Sequence, residues 1–156
     1  MSCDSAWHYF KENKFEAFGD IHINQGDTLH LYGKHLDYIG EAHKVFIQGD
    51  ILLKDKEMQL TTEKLHYNLT TKKASYYTGA NILNGKNKLF SQKGDYFSQK
   101  KILLFKKDVL LDNPEYIIES DTLKYNTHTE VAFFVGPTQI KSDNNFIYCE
   151  NGWYNT

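Results

Sequence analysis

The chain has 156 residues, 18 basic against 20 acidic, and a formal charge of −2 with both signs interspersed, which excludes the electrostatic footprint of a nucleic-acid binder. Two prolines and 15% aromatics, with 11 Tyr and 10 Phe, argue against disorder and for β-structure, and the length suits one elongated domain. No run approaches the roughly 20 apolar residues of a membrane-spanning helix.

Residues 1–10 lack the basic start and apolar stretch of a signal peptide. Residues 3–9 instead match residues 61–67, with Trp7 in the column of Leu36, Leu65 and Leu123. The chain thus begins inside a repeat and is expected to be a fragment of a longer protein, with any export signal outside it. Tyr9, Tyr38, Tyr67, Tyr96, Tyr125 and Tyr154 follow one another at 29 residues with no insertion or deletion between them. Seven residues before these tyrosines stand Leu31, Leu60, Leu89, Ile118 and Ile147, and nine after them stand Phe18, Ile47, Tyr76, Phe105 and Phe134. One unit is repeated about five times, and because such a unit cannot bury an apolar face alone, the units must stack.

Within the repeat, Val45, Ile47, Gly49, Ile51 and Leu53 alternate with Phe46, Gln48, Asp50 and Leu52, the period of a half-buried strand. The returning segment has Met58 and Leu60 in one phase and Leu65 and Tyr67 in the other, so a corner is expected at 61–64. The next outward strands read Ala74, Tyr76, Thr78, Ala80, Ile82; then Leu103, Phe105, Lys107, Val109, Leu111; then Ala132, Phe134, Gly136, Thr138, Ile140. Gly49-Asp50, Thr78-Gly79 and Gly136-Pro137 permit a bend at mid-strand. Short polar connections at 54–57, 84–86 and 112–115 at one end, and at 68–73, 97–101 and 126–130 at the other, have hairpin length. The pattern predicts an all-β domain over 1–156, a meander of long bent antiparallel strands folded into an open V or flattened roll without helices. A right-handed parallel β-helix is the rival, though its coils are usually shorter.

Chemistry is sparse. His8, His22, His30, His35, His43, His66 and His128 show no metal-ligand spacing, and most fall in loops or on the polar phase, so they are read as surface residues and no metal or cofactor is expected. No phosphate loop, nucleophile elbow or inward carboxylate pair emerges, and no catalytic residue is expected. Asp20, Asp50 and Asp108 recur beside the bend as structural turn residues. Cys3 and Cys149 would lie roughly 50 Å apart at about 4.8 Å per strand, too far to form a disulfide. The tyrosine ladder seals an edge of the roll or lines a ligand groove. The inward columns are ordinary core or the walls of an accessible apolar interior of the kind acyl chains require. Small inward residues, Ala74, Ala80, Ala132 and Gly49, favour spare room. Lys107 in an inward phase implies a local bulge or a place near a ligand head group.

Gly49-Asp50-Ile51-Leu52-Leu53, Ser120-Asp121-Thr122-Leu123-Lys124-Tyr125 and Gly136-Pro137-Thr138 resemble the repeats of the OstA-like (LptA) family, to which the N-terminal domain of LptD also belongs. The resemblance spans nearly the whole chain, and the Tyr-rich form looks most like the OstA-like proteins of Bacteroidetes-type bacteria. It implies a β-jellyroll that shields the lipid A acyl chains of lipopolysaccharide in the periplasm, serves outer-membrane assembly, and stacks edge to edge with other OstA-like or Lpt proteins or with copies of itself. On this reading Ile47, Ile51, Leu60, Tyr76, Leu89, Phe105, Val109, Ile118 and Phe134 contact the acyl chains. Two other classes compete with it. One is a structural scaffold that assembles through edge strands and holds no ligand; the other is a lipid A-modifying hydrolase, for which no unique polar constellation is seen.

Overall fold

The computed structural model describes every residue except 26–28, 55, 57, 98, 127, 130 and 156, so the expected connections at 54–57, 97–101 and 126–130 lie partly outside the described residues. The strands run β1 (Ser5–Tyr9), β2 (Lys14–Gln25), β3 (Leu29–Ile39), β4 (Lys44–Lys54) and β5 (Met58–Asn68). They continue as β6 (Lys73–Tyr76), β7 (Ala80–Asn84), β8 (Asn87–Ser91), β9 (Lys93–Phe97), β10 (Ile102–Asn113), β11 (Tyr116–Asn126), β12 (Val131–Lys141) and β13 (Phe146–Asn155). Among the described residues every strand pair is antiparallel and, outside the third unit, sequence neighbours pair in order, which rules out the parallel β-helix.

Each long outgoing strand is bent at its middle by a bulge, where the register shifts: between Phe18 and Ile21, Gln48 and Ile51, Lys106 and Val109, and Val135 and Thr138. Gly19, Gly49, Asp50, Lys107, Asp108 and Gly136 take positive φ there, so the bulge residues leave the ladder while Ile47 and Ile51 on either side both stay buried. Gly49 accordingly lies outside the interior, contrary to the simple alternation, and a Cβ on it would meet the Lys34 side chain. Lys107 is exposed at its bulge. The returning strand changes phase as expected: Leu60 and Thr62 are buried, Glu63 and Lys64 both point to solvent, and Leu65 is buried again. In the third unit the bend interrupts the ladder. β6 and β9 pair on one side of it and β7 and β8 on the other, while β5 bridges both parts.

Along the crease the sheet folds so tightly that small side chains are required. Thr62, Ser91, Ser120 and Thr138 are buried there, and Gly33 occupies the same column. Their hydroxyls are satisfied locally: Thr62 Oγ1 donates to the Gly79 carbonyl at 2.6 Å, Ser120 Oγ meets Thr138 Oγ1 at 2.8 Å, and Ser91 Oγ meets the Tyr76 hydroxyl at 2.5 Å. The buried apolar residues on both sides of the crease form one continuous cluster from Ala17 to Phe134.

The first unit departs from the sequence pattern. Ala17 pairs with Leu36 and is fully buried, whereas Phe18 pairs with His35 and stacks on its ring at a centroid distance of 4.5 Å. Ala17 therefore takes the core place of Ile47, not Phe18. Trp7 pairs with Glu16 and is 63% exposed, and Tyr9 pairs with Lys14 directly at the turn. Neither belongs to its expected inward column. The cause is a one-residue offset, which in a strand exchanges the two faces. Gly19-Asp20-Ile21 corresponds to Gly49-Asp50-Ile51 at a distance of 30 residues, so the 29-residue spacing of Tyr9 from Tyr38 does not reflect structural equivalence. Five tyrosines, from Tyr38 to Tyr154, form the ladder.

Candidate functional site

In the remaining units the ladder is regular. Tyr38 pairs with Val45, Val45 with Tyr67, Tyr67 with Ala74, Ala74 with Tyr96, Tyr96 with Leu103, Leu103 with Tyr125, Tyr125 with Ala132 and Ala132 with Tyr154. Paired antiparallel residues share a face, so this row runs along one arm of the V, one step further from the crease than the row of Ile47, Phe105 and Phe134. The opposite arm presents Leu31, Leu53, Leu60, Ile82, Leu89, Leu111 and Ile118 from its own ladder.

Between the arms a cleft of about 450 Å³ opens. Leu103, Phe105, Leu123 and Ala132 wall it from one arm and Met58, Ile82, Leu89 and Leu111 from the other. Tyr96, Tyr125 and Tyr116 stand among them, so the ladder lines a groove here while Tyr38 packs against the core. The polar members of the lining are Asn84, Asn87, Lys101 and His128. Toward β5 the space narrows to a void of about 30 Å³ bordered by Leu53, Leu60, Leu65, Ala74, Tyr76 and Phe105. A cavity of roughly 300–1,000 Å³ lined by apolar and aromatic groups with a few polar ones is the ordinary form of a small-molecule site.

All nine residues expected to contact a ligand are buried in the interior cluster. Leu89 and Phe105 reach the cleft, Leu60, Tyr76 and Phe105 border the narrow void, and Ile47, Ile51, Val109, Ile118 and Phe134 line neither. Leu103, Leu111, Leu123, Met58 and Tyr116 were not singled out, although Leu103 and Leu111 stand in the inward phase at strand ends. Position along the stack makes the difference as much as distance from the crease: Phe105 reaches the cleft where Ile47 and Phe134 in the same row do not, and Leu111 reaches it where its partner Ile118 does not. Ala74 and Ala132 supply room as their size implies, whereas Ala80 is buried at the crease.

Tyr76 shows how the interior is fitted locally. It stands in the place of Ile47 and Phe105, and its larger ring is accommodated because Gly94 replaces the leucine of Leu36, Leu65 and Leu123; a Cβ on Gly94 would fall 2.3 Å from the ring. Burial pushes the Tyr76 hydroxyl up to about 12, despite its hydrogen bond with Ser91. Asp95 braces the strands that carry the wall: its carboxylate accepts from Ser75 Oγ at 2.7 Å and lies 2.9 Å from Lys73 Nζ and 3.4 Å from Lys106 Nζ. Burial alone would raise the Asp95 carboxyl, but the hydrogen bonds from Lys73, Ser75 and Lys106 and the Lys73 charge outweigh it and hold it below its usual range.

Among the described residues no group of three or more His, Cys, Asp or Glu side chains is placed to hold a metal ion, and both cysteines are free. His22 and His30 face each other across β2 and β3 with ring nitrogens 3.0 Å apart, and His22 stacks on Tyr32.

The fold and its groove define an open β-jellyroll with an apolar interior. The family model of the OstA-like protein matches residues 1–121, and the chain belongs to that family. Among solved structures it is similar to the crystal structure of LptH from Pseudomonas aeruginosa, the LptA homologous periplasmic component of the lipopolysaccharide transport device. That likeness has a TM-score of 0.56 at 10% identity and covers 64% of this chain and 76% of LptH, which shows a shared fold. No curated protein sequence matches the chain.

Proposed function

We propose that this chain is a periplasmic lipopolysaccharide-binding module that shields lipid A acyl chains between its arms and serves outer-membrane assembly. The observation that carries the reading is the apolar cleft between the two arms. Family membership and the likeness to LptH support the same reading. The mechanism is non-covalent. Acyl chains leave water for the Leu103, Leu111 and Leu123 surface, with a gain of about 25 cal/mol per Å² of apolar area removed from water. Nothing in such a groove sets direction, so movement of cargo along a row of modules draws its energy from elsewhere.

The partners fit the ends of the sheet. Among the described residues no strand pairs with the outer side of β13, and Ile147 and Tyr154 on its inward face are 52% and 55% exposed. A second OstA-like or Lpt domain, or another copy of the chain, pairing there would extend both the ladder and the apolar surface. The same edge is what favours the alternative of a ligand-free scaffold. Native mass spectrometry during titration with lipid A separates the two. The transport reading expects saturable binding that is lost in a folded Ala132→Phe variant, in which a ring fills the cleft. A folded wild type that takes no lipid A and only oligomerises as its concentration rises supports the scaffold.

A further inference from the structure

The outer face of the N-terminal strands carries a histidine pair that lipid binding leaves unused. In β2 and β3 the inward side chains Ile21, Ile23 and Leu31 belong to the apolar cluster or pack against it. The alternate residues His22, His30 and Tyr32 therefore project from the opposite face of the sheet. Register brings them together: His22 pairs with Tyr32 and Asn24 with His30, so the two imidazoles are diagonal neighbours across the ladder. His22 Nε2 lies 3.0 Å from His30 Nδ1, and the Tyr32 ring stacks on His22 at a centroid distance of 4.5 Å and an interplanar angle of 4°. Both imidazoles are half-buried, which limits their rotamers. His35 and His66 differ, for their cross-strand partners are Phe18 and Gln48, and Phe46 and Ser75.

We propose that His22 and His30 form a chelating site for a late divalent transition metal, with Cu²⁺ favoured over Zn²⁺. Two nitrogens at right angles about a metal, with bonds of about 2.1 Å, stand about 3.0 Å apart, whereas a tetrahedral angle sets them about 3.4 Å apart. The observed spacing is that of adjacent ligands in the tetragonal geometry of Cu²⁺ and Ni²⁺, and of these Cu²⁺ binds nitrogen more tightly. Without metal the two neutral rings share one proton, one donating and the other accepting. Binding releases no net proton: the donating ring carries its N–H on its other nitrogen, and both rings turn a lone pair to the metal. Two protein ligands leave the remaining positions to water, so the ion exchanges freely. Lys54 pairs with His30 from β4, but it is exposed and its charge is screened, so it weakens the site without closing it. The bound ion clamps β2 to β3 on the outer face, away from the cleft, and the inference stands apart from the lipid-binding reading.

The test is calorimetric titration with CuCl₂, and in parallel with ZnCl₂, in a buffer with glycine as competing chelator. Both cysteines are free, so the parent protein is Cys3→Ser/Cys149→Ser, in which no thiol reduces the copper. The series comprises this parent, His22→Gln, His30→Gln and the double variant, each checked for fold by circular dichroism. One equivalent of Cu²⁺ is expected to bind the parent on the order of tenfold to a hundredfold more tightly than either single variant, because two ligands held together act as one chelate. Electron paramagnetic resonance of the loaded parent should show two imidazole nitrogens, and Cu²⁺ should raise the melting temperature of the parent but not of the double variant. Two single variants make the test independent of the folding of either. Equal Cu²⁺ affinity in the parent and the folded double variant means an adventitious ion only, held by other surface groups, and overturns the proposal. Zn²⁺ binding as tightly as Cu²⁺ overturns the right-angle geometry on which it rests. Lipid A titration of the double variant should match the parent; a loss there would place the pair in the lipid site and also overturn it.

Discussion

The interior differs between the N-terminal repeats and the middle ones. Around β2 to β4, Ala17, Ile21, Ile47 and Ile51 are at most 3% exposed, and the arms close on each other. From β7 to β12 Phe105, Val109 and Phe134 in the same columns are as well buried, but the rows further from the crease leave a cleft of about 450 Å³. The backbone plan is common to both regions, with bulges at Gln48/Ile51 and Lys106/Val109 alike. What changes is the row away from the crease, where Val45 gives way to Ala74 and Ala132, and the tips of the arms. One repeat can therefore build a filled core in one place and a groove in another, and the choice rests on a few side-chain volumes.

The contrast is tested most strongly by truncation. Ile51→Ala in the closed region is expected to cost about 2–5 kcal/mol, whereas Leu103→Ala on the half-buried cleft wall should cost roughly half as much or less, since its surroundings are already open. Urea unfolding of both variants gives the ratio, and equal losses would erase the distinction between the two regions. Gly94→Leu, which drives a side chain into the Tyr76 ring, should lower stability by about 1–3 kcal/mol or more, measured in the same way.

Tyr76 sharpens the comparison at the boundary between filled and open interior. Tyr76→Phe removes its bond with Ser91, and the expected loss is about 1 kcal/mol at neutral pH. The hydroxyl titrates at 10.0 when unfolded and about 12 when folded, so between these values the unfolded state binds fewer protons and stability falls as pH rises. Thermal melts from pH 9 to 11.5 should show a steeper decline in the wild type than in Tyr76→Phe. The smallest effect belongs to Lys107→Ala. With Lys107 exposed at its bulge, stability should stay within about 0.5 kcal/mol of wild type and lipid A binding should be unchanged. Weaker lipid A binding by this variant would restore Lys107 as a head-group ligand.

Much of this architecture is legible in the sequence because a repeat states its own strand phase several times. Ile47, Phe105 and Phe134 identify the inward row, and the phase change between Leu60 and Leu65 locates the corner. The first unit is misread because the tyrosine spacing happens to continue through it. The bend residues Gly19-Asp20-Ile21 record the true offset of 30. The cleft was only partly legible. Phase separates inside from outside, but it does not say how far the arms diverge, so Ile47 and Leu103 look alike in sequence while one is enclosed and the other borders an opening. The fit of Tyr76 to Gly94 was hidden for a related reason, since the two are brought together by cross-strand register and not by sequence spacing.

The central claim, that lipid enters the middle of the roll and not its N-terminal end, is tested most directly by methyl NMR of protein labelled at Ile, Leu and Val during titration with lipid A. The account predicts shifts and ligand contacts at the methyls of Leu103, Leu111, Leu123 and Ile82, with Ile21, Ile47 and Ile51 unmoved. Contacts confined to Ile21, Ile47 and Ile51, or no contacts by folded protein at saturating lipid A, would contradict it.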